Sequence, residues 1–554
     1  MPVAHVIWRP IITALLVAVL CWGDLSHQGR TYAANRSSAG AGQASLDSAT
    51  AIERGESLER SREWPRAIEL YETAIEDWPE NKELQLGLRR SRIHFSIERR
   101  YTDISFQQEL LRLSRNDALN LFDDVLARVR SNYVDPISST SFVAHGTESL
   151  YLALANPKYL EQNLPGASAD RVKKIRSALR EQYWNRPVAN QAEARAVVNE
   201  ICQISEQSAG LPSSAVVMEY IFGGCNVLDD YSSVLTPEKL RDLYSNIQGE
   251  FVGLGIEMKA EIGKGLLLVN VLSESPAAEG GLNPDDHILS IDGTDCRYLS
   301  TEAAANLLRG EPNSRVTLEI HRADTNETET LVLQRRAVHV KSIPVVKMLD
   351  RDAGIGYIQM TGFQRDSAKE LDQALRTLHQ EGMRALIWDL RGNPGGLLNA
   401  AVEVLDRFID HGLLVSTKGR TPESNSNYSA YRAQTWNVPI VLLVDGDSAS
   451  ASEIVAGALN DYHRGTIVGR PTYGKWSVQT IIDIRGGSGI RLTTAKFYSP
   501  HGRTLGKIGV RPDIVVPTPE EKRLIYKGLP RQNWNDDPDI QEGLRVLQKQ
   551  IASS

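Results

Sequence analysis

The spacing of hydrophobic residues changes several times along the chain, and each change marks a boundary. From about Ala51 to Glu98, Trp64, Ala67, Ile68, Tyr71, Ala74 and Ile75 recur at steps of three and four. That is the period of a helix with one buried face, and Pro79 stops it. A second such run, Ala118, Leu121, Phe122, Val125, Leu126 and Val129, lies in a mostly helical region over 115–248. Over 249–337 the pattern shortens to the apolar runs GLGIEM, GLLLVNVL, HILSID and RVTLEI, separated by Gly, Pro and Asp turns. One helical piece, Thr301 to Leu308, interrupts them, and a small strand-rich domain is predicted. After further strands near Val338–Met348, the strands GIGYIQM, ALIWDL and PIVLLVD alternate with helices at Ser367–Gln380, Leu397–Ile409 and Ala451–Asn460. Such alternation predicts an α/β layer over 338–520, with helices packed on a sheet. The small polar stretch 35–50 reads as a linker, and 521–554 as a C-terminal tail.

Composition narrows the class. A chain of 554 residues exceeds one hydrophobic core and implies several domains. The net charge of −7 has no basic excess behind it, so no nucleic-acid partner is expected. His5 and Arg9 precede an apolar run from Ile11 to Trp22, and small residues follow near Ala33 and Ala34. A dozen or so apolar residues is short for a membrane span and suits an export signal, so residues 1–34 are read as a signal peptide or N-terminal anchor. The expected location is periplasmic or otherwise extracytoplasmic. Without Cys21 in that run, Cys202, Cys225 and Cys296 remain, an odd count that allows at most one bridge, Cys202 to Cys225. No Cys-x-x-Cys or His-Glu-x-x-His pattern is present, and neither a metal nor an organic cofactor is expected.

The chemistry concentrates in three segments of the α/β layer. DLRGNPGG (Asp389–Gly396) links a strand to a helix, and its glycines let backbone N–H groups approach a ligand closely. A tight turn without a ligand would look the same. DGDSASASEIVAGAL (Asp445–Leu459) carries Ser448, Ser450 and Ser452 at a strand-to-helix junction, where any of them could simply cap the helix. A serine nucleophile needs a base. His411 and His463, oriented by Asp389, are one source, although the Gly-x-Ser-x-Gly elbow is missing. Lys475 in PTYGKWSVQT (Pro471–Thr480) is the other. A lysine base needs its pKa lowered from roughly 10.4 to about 7 or 8, which takes burial. Along an extended strand Gln479 shares a face with Lys475 and Ser477 and could hold the amine. A surface lysine on a hairpin is the plain alternative.

Together these segments resemble the C-terminal processing peptidases, or tail-specific proteases. LDDYSSVLTPEKLRDLYSNIQGEFVGLGIEM resembles the helix that leads into that family's PDZ domain. DLRGNPGGLL, SASASEIVAGALNDY and TYGKWSVQT resemble its catalytic core, and PHGRTLGKIGVRPDI its closing hairpin. The resemblance runs through about 225–517, with LFDDVLARVRSNYVDP (Leu121–Pro136) as an N-terminal fragment. It implies an α+β multidomain protein, with a ClpP/crotonase-like protease core and an inserted PDZ domain. Ser450 would be the nucleophile, Lys475 the base and Gln479 its orienting amide. Ala451 N–H and an N–H of the NPGG loop, Gly396 before Gly395, would form the oxyanion hole. The PDZ domain, with Gly253, Leu254, Gly255 and Ile256 as its carboxylate loop, would take proteins or peptides with free apolar C-termini.

WPRAIELYETAIEDWPEN resembles half of a tetratricopeptide repeat, so 51–114 is read as a helical arm able to serve an adaptor or assembly role. The chain departs from the family at Trp476, where a small glycine is usual, and in a long segment near 137–227. A second reading is an inactive PDZ-containing scaffold protein, since the same core occurs in binding proteins. A pure binder need not keep the Ser450, Lys475 and Gln479 set.

Overall fold

A computed structural model describes residues 15–18, 47–299, 301–432, 434–517 and 534–553. The chain divides into two units, Met1–Arg241 with Val415–Tyr428 and Trp476–Gly506, and Asp242–Leu414 with Ser429–Lys475 and Lys507–Ser554.

In the second unit, near-continuous apolar runs form the strands of a sheet covered on both faces. Its order is β1 (Val345–Asp350), β2 (Ile355–Gln359), β3 (Ala385–Asp389), β4 (Ile440–Val444), β5 (Thr466–Gly469) and β6 (Ile514–Val515). β1 is antiparallel to β2, and the rest are parallel, with Tyr357 beside Ile387 and Ile387 beside Val441. Every residue of β3 and β4 is buried, as expected of parallel strands between two helical layers. The crossovers run through α1 (Ser367–Gln380), α2 (Leu398–Leu405) and α3 (Ala451–Asp461). The helix predicted over 397–409 is thus shorter. The segment read as a tail contains α4 (Pro538–Ser553). Its Ile540 and Leu547 join Tyr357, Ile387, Val441, Leu443 and Val468 in one hydrophobic cluster.

The strand-rich domain belongs to the same unit. Its strands Ile256–Glu261, Gly265–Val271, His287–Ile291, Arg315–His321 and Thr328–Gln334 pair in that order, with helix Thr301–Leu308 as expected. Strand Glu250–Gly253 pairs antiparallel with Arg336–His339, Gly253 opposite Arg336. The ends of the domain are thereby stitched together.

The first unit is mainly helical. Helices Ser48–Arg60, Trp64–Asp77 and Lys82–Arg100 pack through glycines: a Cβ on Gly55 or Gly87 would lie 2.3 or 2.4 Å from Tyr71 Cζ. The helices that follow bury the pair Arg100–Glu219 at 2.7 Å, with Ser149 donating to the same carboxylate. Strands Ser477–Asp483 and Gly489–Tyr498 form an antiparallel pair in this unit. The expected export signal lies outside the described residues except for strand Leu15–Ala18, which runs antiparallel to Ser477–Asp483 with Val17 opposite Gln479. The linker 35–50 is described only from Asp47. Cys202 and Cys225 are both free and buried, so the one bridge the sequence allowed is not formed. No helix among the described residues is long and apolar enough to cross a membrane.

Candidate active site

β4 runs into the turn Asp445–Ser450, which delivers the chain to α3. Asp445 folds that turn by accepting N–H groups from Asp447 and Ser448, both at 3.1 Å, and reaches across to Gly392 N–H at 2.9 Å. Burial pushes its carboxyl up from the ordinary range. The three serines of the turn then separate. Ser448 Oγ donates to Leu390 O at 2.8 Å, and Ser452 Oγ donates to Asn393 O at 2.9 Å. Ser450 Oγ is buried and has no hydrogen-bond partner among the described residues. Its φ of 57°, with ψ of −110°, is a conformation that side-chain-bearing residues rarely adopt. Ala451 follows as the first residue of α3, where a backbone N–H has no acceptor inside the helix.

The loop Asp389–Gly396 lies against this turn, and Asn393 joins the two. Its Nδ2 donates to Met360 O at 2.9 Å, its Oδ1 accepts Gly395 N–H at 2.9 Å, and its backbone oxygen accepts Ala449 N–H at 3.0 Å. The Gly395 N–H is therefore already engaged. Phe363 N–H donates to Gly395 O at 3.0 Å, and Leu397 N–H donates to Phe363 O at 2.7 Å. In this bridge the N–H of Gly396, between those two bonds, turns away from Phe363. Both glycines are required by space. A Cβ on Gly395, at φ 104°, would sit 2.9 Å from Ser450 Cβ and 2.7 Å from Ala449 O. One on Gly396 would sit 2.1 Å from Phe363 O. Gly395→Ala is expected to displace the serine turn and lower kcat on a peptide substrate about 100-fold, as misplacement by an ångström does. Activity within threefold of wild type would show that the loop yields instead.

Lys475 is 2% exposed, in the same unit as Ser450. Its segment is fixed by Glu453, the third residue of α3, whose carboxylate collects four donors. Oε1 accepts Thr472 Oγ1 and Gly474 N–H, both at 2.7 Å, and Oε2 accepts Ser450 N–H and Lys475 N–H, both at 2.8 Å. One buried side chain thus sets the spacing between the serine turn and the lysine segment. Tyr473 N–H adds a bond to Ser448 O at 3.0 Å, and Val510 N–H donates to Thr472 Oγ1 at 2.7 Å.

Gln479 lies in the other unit, on strand Ser477–Asp483. Its Nε2 donates to Ser477 Oγ at 2.9 Å and Thr493 Oγ1 at 3.2 Å, so residues 477 and 479 do share a face. Gln479 Oε1 is buried and unpaired among the described residues. The strand starts at Ser477, two residues after Lys475. Trp476 is accommodated by packing, its ring 4.7 Å from that of Phe497.

The histidine alternative gains nothing from this geometry. His411 is exposed and bonded to its neighbour Asp410, His463 is exposed, and Asp389 is held by Arg391 and Tyr357. Glu453 and Asn393 escaped the sequence reading. The Ser-x-x-Glu spacing from Ser450 to Glu453, a capping-box signature, was the available signal.

In the strand-rich domain, Gly253–Ile256 forms the turn between two strands. Gly255 has φ 79°, and a Cβ there would meet Ser275 Cβ at 2.3 Å. Ile256, Met258 and Leu307 are half-buried and pack on the domain's core. Among the described residues no group of His, Cys, Asp and Glu could hold a metal ion.

Comparison with known proteins gives two profile matches, peptidase family S41 over residues 354–516 and a PDZ domain over 268–322. A carboxy-terminal-processing protease of Bartonella bacilliformis is 35% identical over 332 residues, 59% of this chain and 75% of that protein. A carboxyl-terminal-processing protease of Synechocystis is 33% identical over 345 residues, 62% of this chain and 75% of that protein. Among solved structures, the photosystem II D1 C-terminal processing protease matches at 26% identity and a TM-score of 0.37, covering 73% of this chain and 95% of that one.

Proposed function

The chain belongs to the carboxy-terminal-processing proteases of peptidase family S41, serine-type peptidases with a PDZ domain, and on that premise we propose that it cleaves peptide bonds with a Ser450–Lys475 dyad. The observation that carries the dyad is the isolation of Ser450 Oγ among three serines, in a turn that Glu453 couples to the Lys475 segment. The Lys475 amine takes the hydroxyl proton as Ser450 Oγ attacks the peptide carbonyl. Ala451 N–H and Gly396 N–H hold the oxyanion. Gly395, whose N–H is engaged, shapes the loop instead. Collapse expels the C-terminal fragment, whose amine receives the proton from Lys475. A water deprotonated by Lys475 then hydrolyses the acyl ester and returns the proton to Ser450. The orienting role of Gln479 rests on the family resemblance alone.

Substrate enters through the PDZ domain. The Gly253–Ile256 turn presents backbone N–H groups to a terminal carboxylate, and Ile256, Met258 and Leu307 take an apolar last side chain. Export rests on the apolar run Ile11–Trp22. The parallel β2–β5 order supports a ClpP/crotonase-like core, and the glycine packing around Tyr71 supports a tetratricopeptide-like arm.

The test is cleavage of an unfolded reporter ending in free apolar residues, compared with its C-terminally amidated form. Amidation is expected to raise KM about tenfold, the loss of roughly 1.4 kcal/mol of carboxylate binding, with kcat little changed. Equal KM values would remove the tail-capture role, and a wild type that binds the reporter without cutting it would favour the scaffold reading.

A further inference from the structure

We propose that Asp539, on the last helix of the chain, is a positioning residue of the active site, joining the root of the oxyanion loop to the root of the lysine segment. The inference rests on the Ser450–Lys475 reading. Asp539 is 0% exposed. Its Oδ2 accepts Arg391 Nη1 at 2.6 Å, and Arg470 Nη1 lies 2.6 Å from both of its oxygens. Arg391 stands two residues before Asn393, and Arg470 begins the stretch that leaves β5 and leads to Lys475. A carboxylate remote in sequence thus bridges the two loops at their base, while Glu453 and Asp445 bridge the serine turn to them above.

The segment is built to deliver that carboxylate. Asp537 caps α4, accepting Asp539 N–H at 3.0 Å and Ile540 N–H at 3.3 Å, and Pro538 occupies the first helical position. Asp537 also accepts Arg391 Nη1 at 2.9 Å. Arg391 completes its set on Asp389, through Nε at 3.0 Å and Nη2 at 2.7 Å. Its guanidinium is fully enclosed, so an unmatched charge there would force the loop to move. Gly543, one turn further along α4, lets the helix lie on the sheet: a Cβ there would be 3.2 Å from both Ile387 Cδ1 and Val441 Cγ1.

The experiment measures the acylation rate of Ser450 by a peptidyl p-nitrophenyl ester in the full chain, read from the nitrophenolate burst, with kcat and KM on the reporter alongside. Asp539→Asn is expected to slow acylation tenfold or more and to lower kcat in step, leaving KM unchanged. Leu547→Ala, on the same helix and equally buried but remote from the carboxylates, is expected to lower the melting temperature and keep the wild-type acylation rate. Asp539→Glu should recover part of the loss. Should Asp539→Asn melt below the assay temperature, Arg470→Lys decides, since it keeps the cation on a side chain one atom shorter and draws it back from Asp539; a slowed, folded variant supports the bridge. Wild-type acylation in folded Asp539→Asn or Arg470→Lys, or equal slowing in Leu547→Ala, overturns it. A wild type that is not acylated at Ser450 overturns the dyad reading itself, and the inference with it.

Discussion

Ser450→Ala is expected to abolish cleavage of the unfolded reporter, and Lys475→Ala to bring it to nearly the same floor, each a loss of at least about 10⁴-fold in kcat. Ser448 and Ser452 have their hydroxyls committed to backbone oxygens of the facing loop, so neither can replace Ser450 without dismantling that loop. The exposed His411 and His463 offer no second base for a buried hydroxyl. In the proposed dyad nucleophile and base act as one unit, so the double variant should be no worse than either single one. Thermal melts within a few degrees of wild type would show that chemistry, not folding, has been lost. Lys475→Ala retaining a tenth of wild-type kcat would sink the lysine mechanism and return attention to the histidines.

Much of the framework around this candidate site was legible in the sequence because its parts are local. A run such as ALIWDL followed at once by a Gly-rich loop and a helix announces a strand-to-helix turn, since periodicity and backbone freedom are both readable within a dozen residues. The helix Thr301–Leu308 appears where the pattern put it for the same reason. What was not legible is whatever depends on tertiary proximity. The end of the chain, polar on average, reads as a tail, yet α4 buries Ile540 and Leu547 against β2–β5. Arg391 and Asp539 are 148 residues apart, and no local rule pairs them. The engagement of Gly395 N–H by Asn393 follows from a side-chain rotamer inside a loop, which spacing cannot specify. Glu453 is an intermediate case: its position after Ser450 is a helix-start signal, but its bonds to Thr472 and Gly474 need the fold.

Glu453→Gln should test that fold-level role more sharply than any other single substitution, with an expected fall in kcat of about 10²- to 10³-fold while Ser450 and Lys475 remain in place. Each carboxylate oxygen accepts two donors, Oε1 from Thr472 and Gly474 and Oε2 from Ser450 and Lys475. An amide has one acceptor end and one donor end, so either orientation points an NH₂ group at backbone N–H donors, at Ser450 and Lys475 or at Gly474. If it faces Ser450 and Lys475, the serine turn and the lysine segment separate directly. If it faces Thr472 and Gly474, the same segment is released one residue earlier. Each unsatisfied buried donor costs about 1–3 kcal/mol, so melting temperature should drop as well. Burial raises the Glu453 carboxyl pKa, and four donors oppose that shift by holding the ionised form. An amide in its place cannot accept from all four donors, which is the ground for the expected loss. Stopped-flow acylation would separate the two losses: a slowed acylation step in a folded variant supports positioning of the dyad, whereas normal acylation with reduced stability would reduce Glu453 to a packing role.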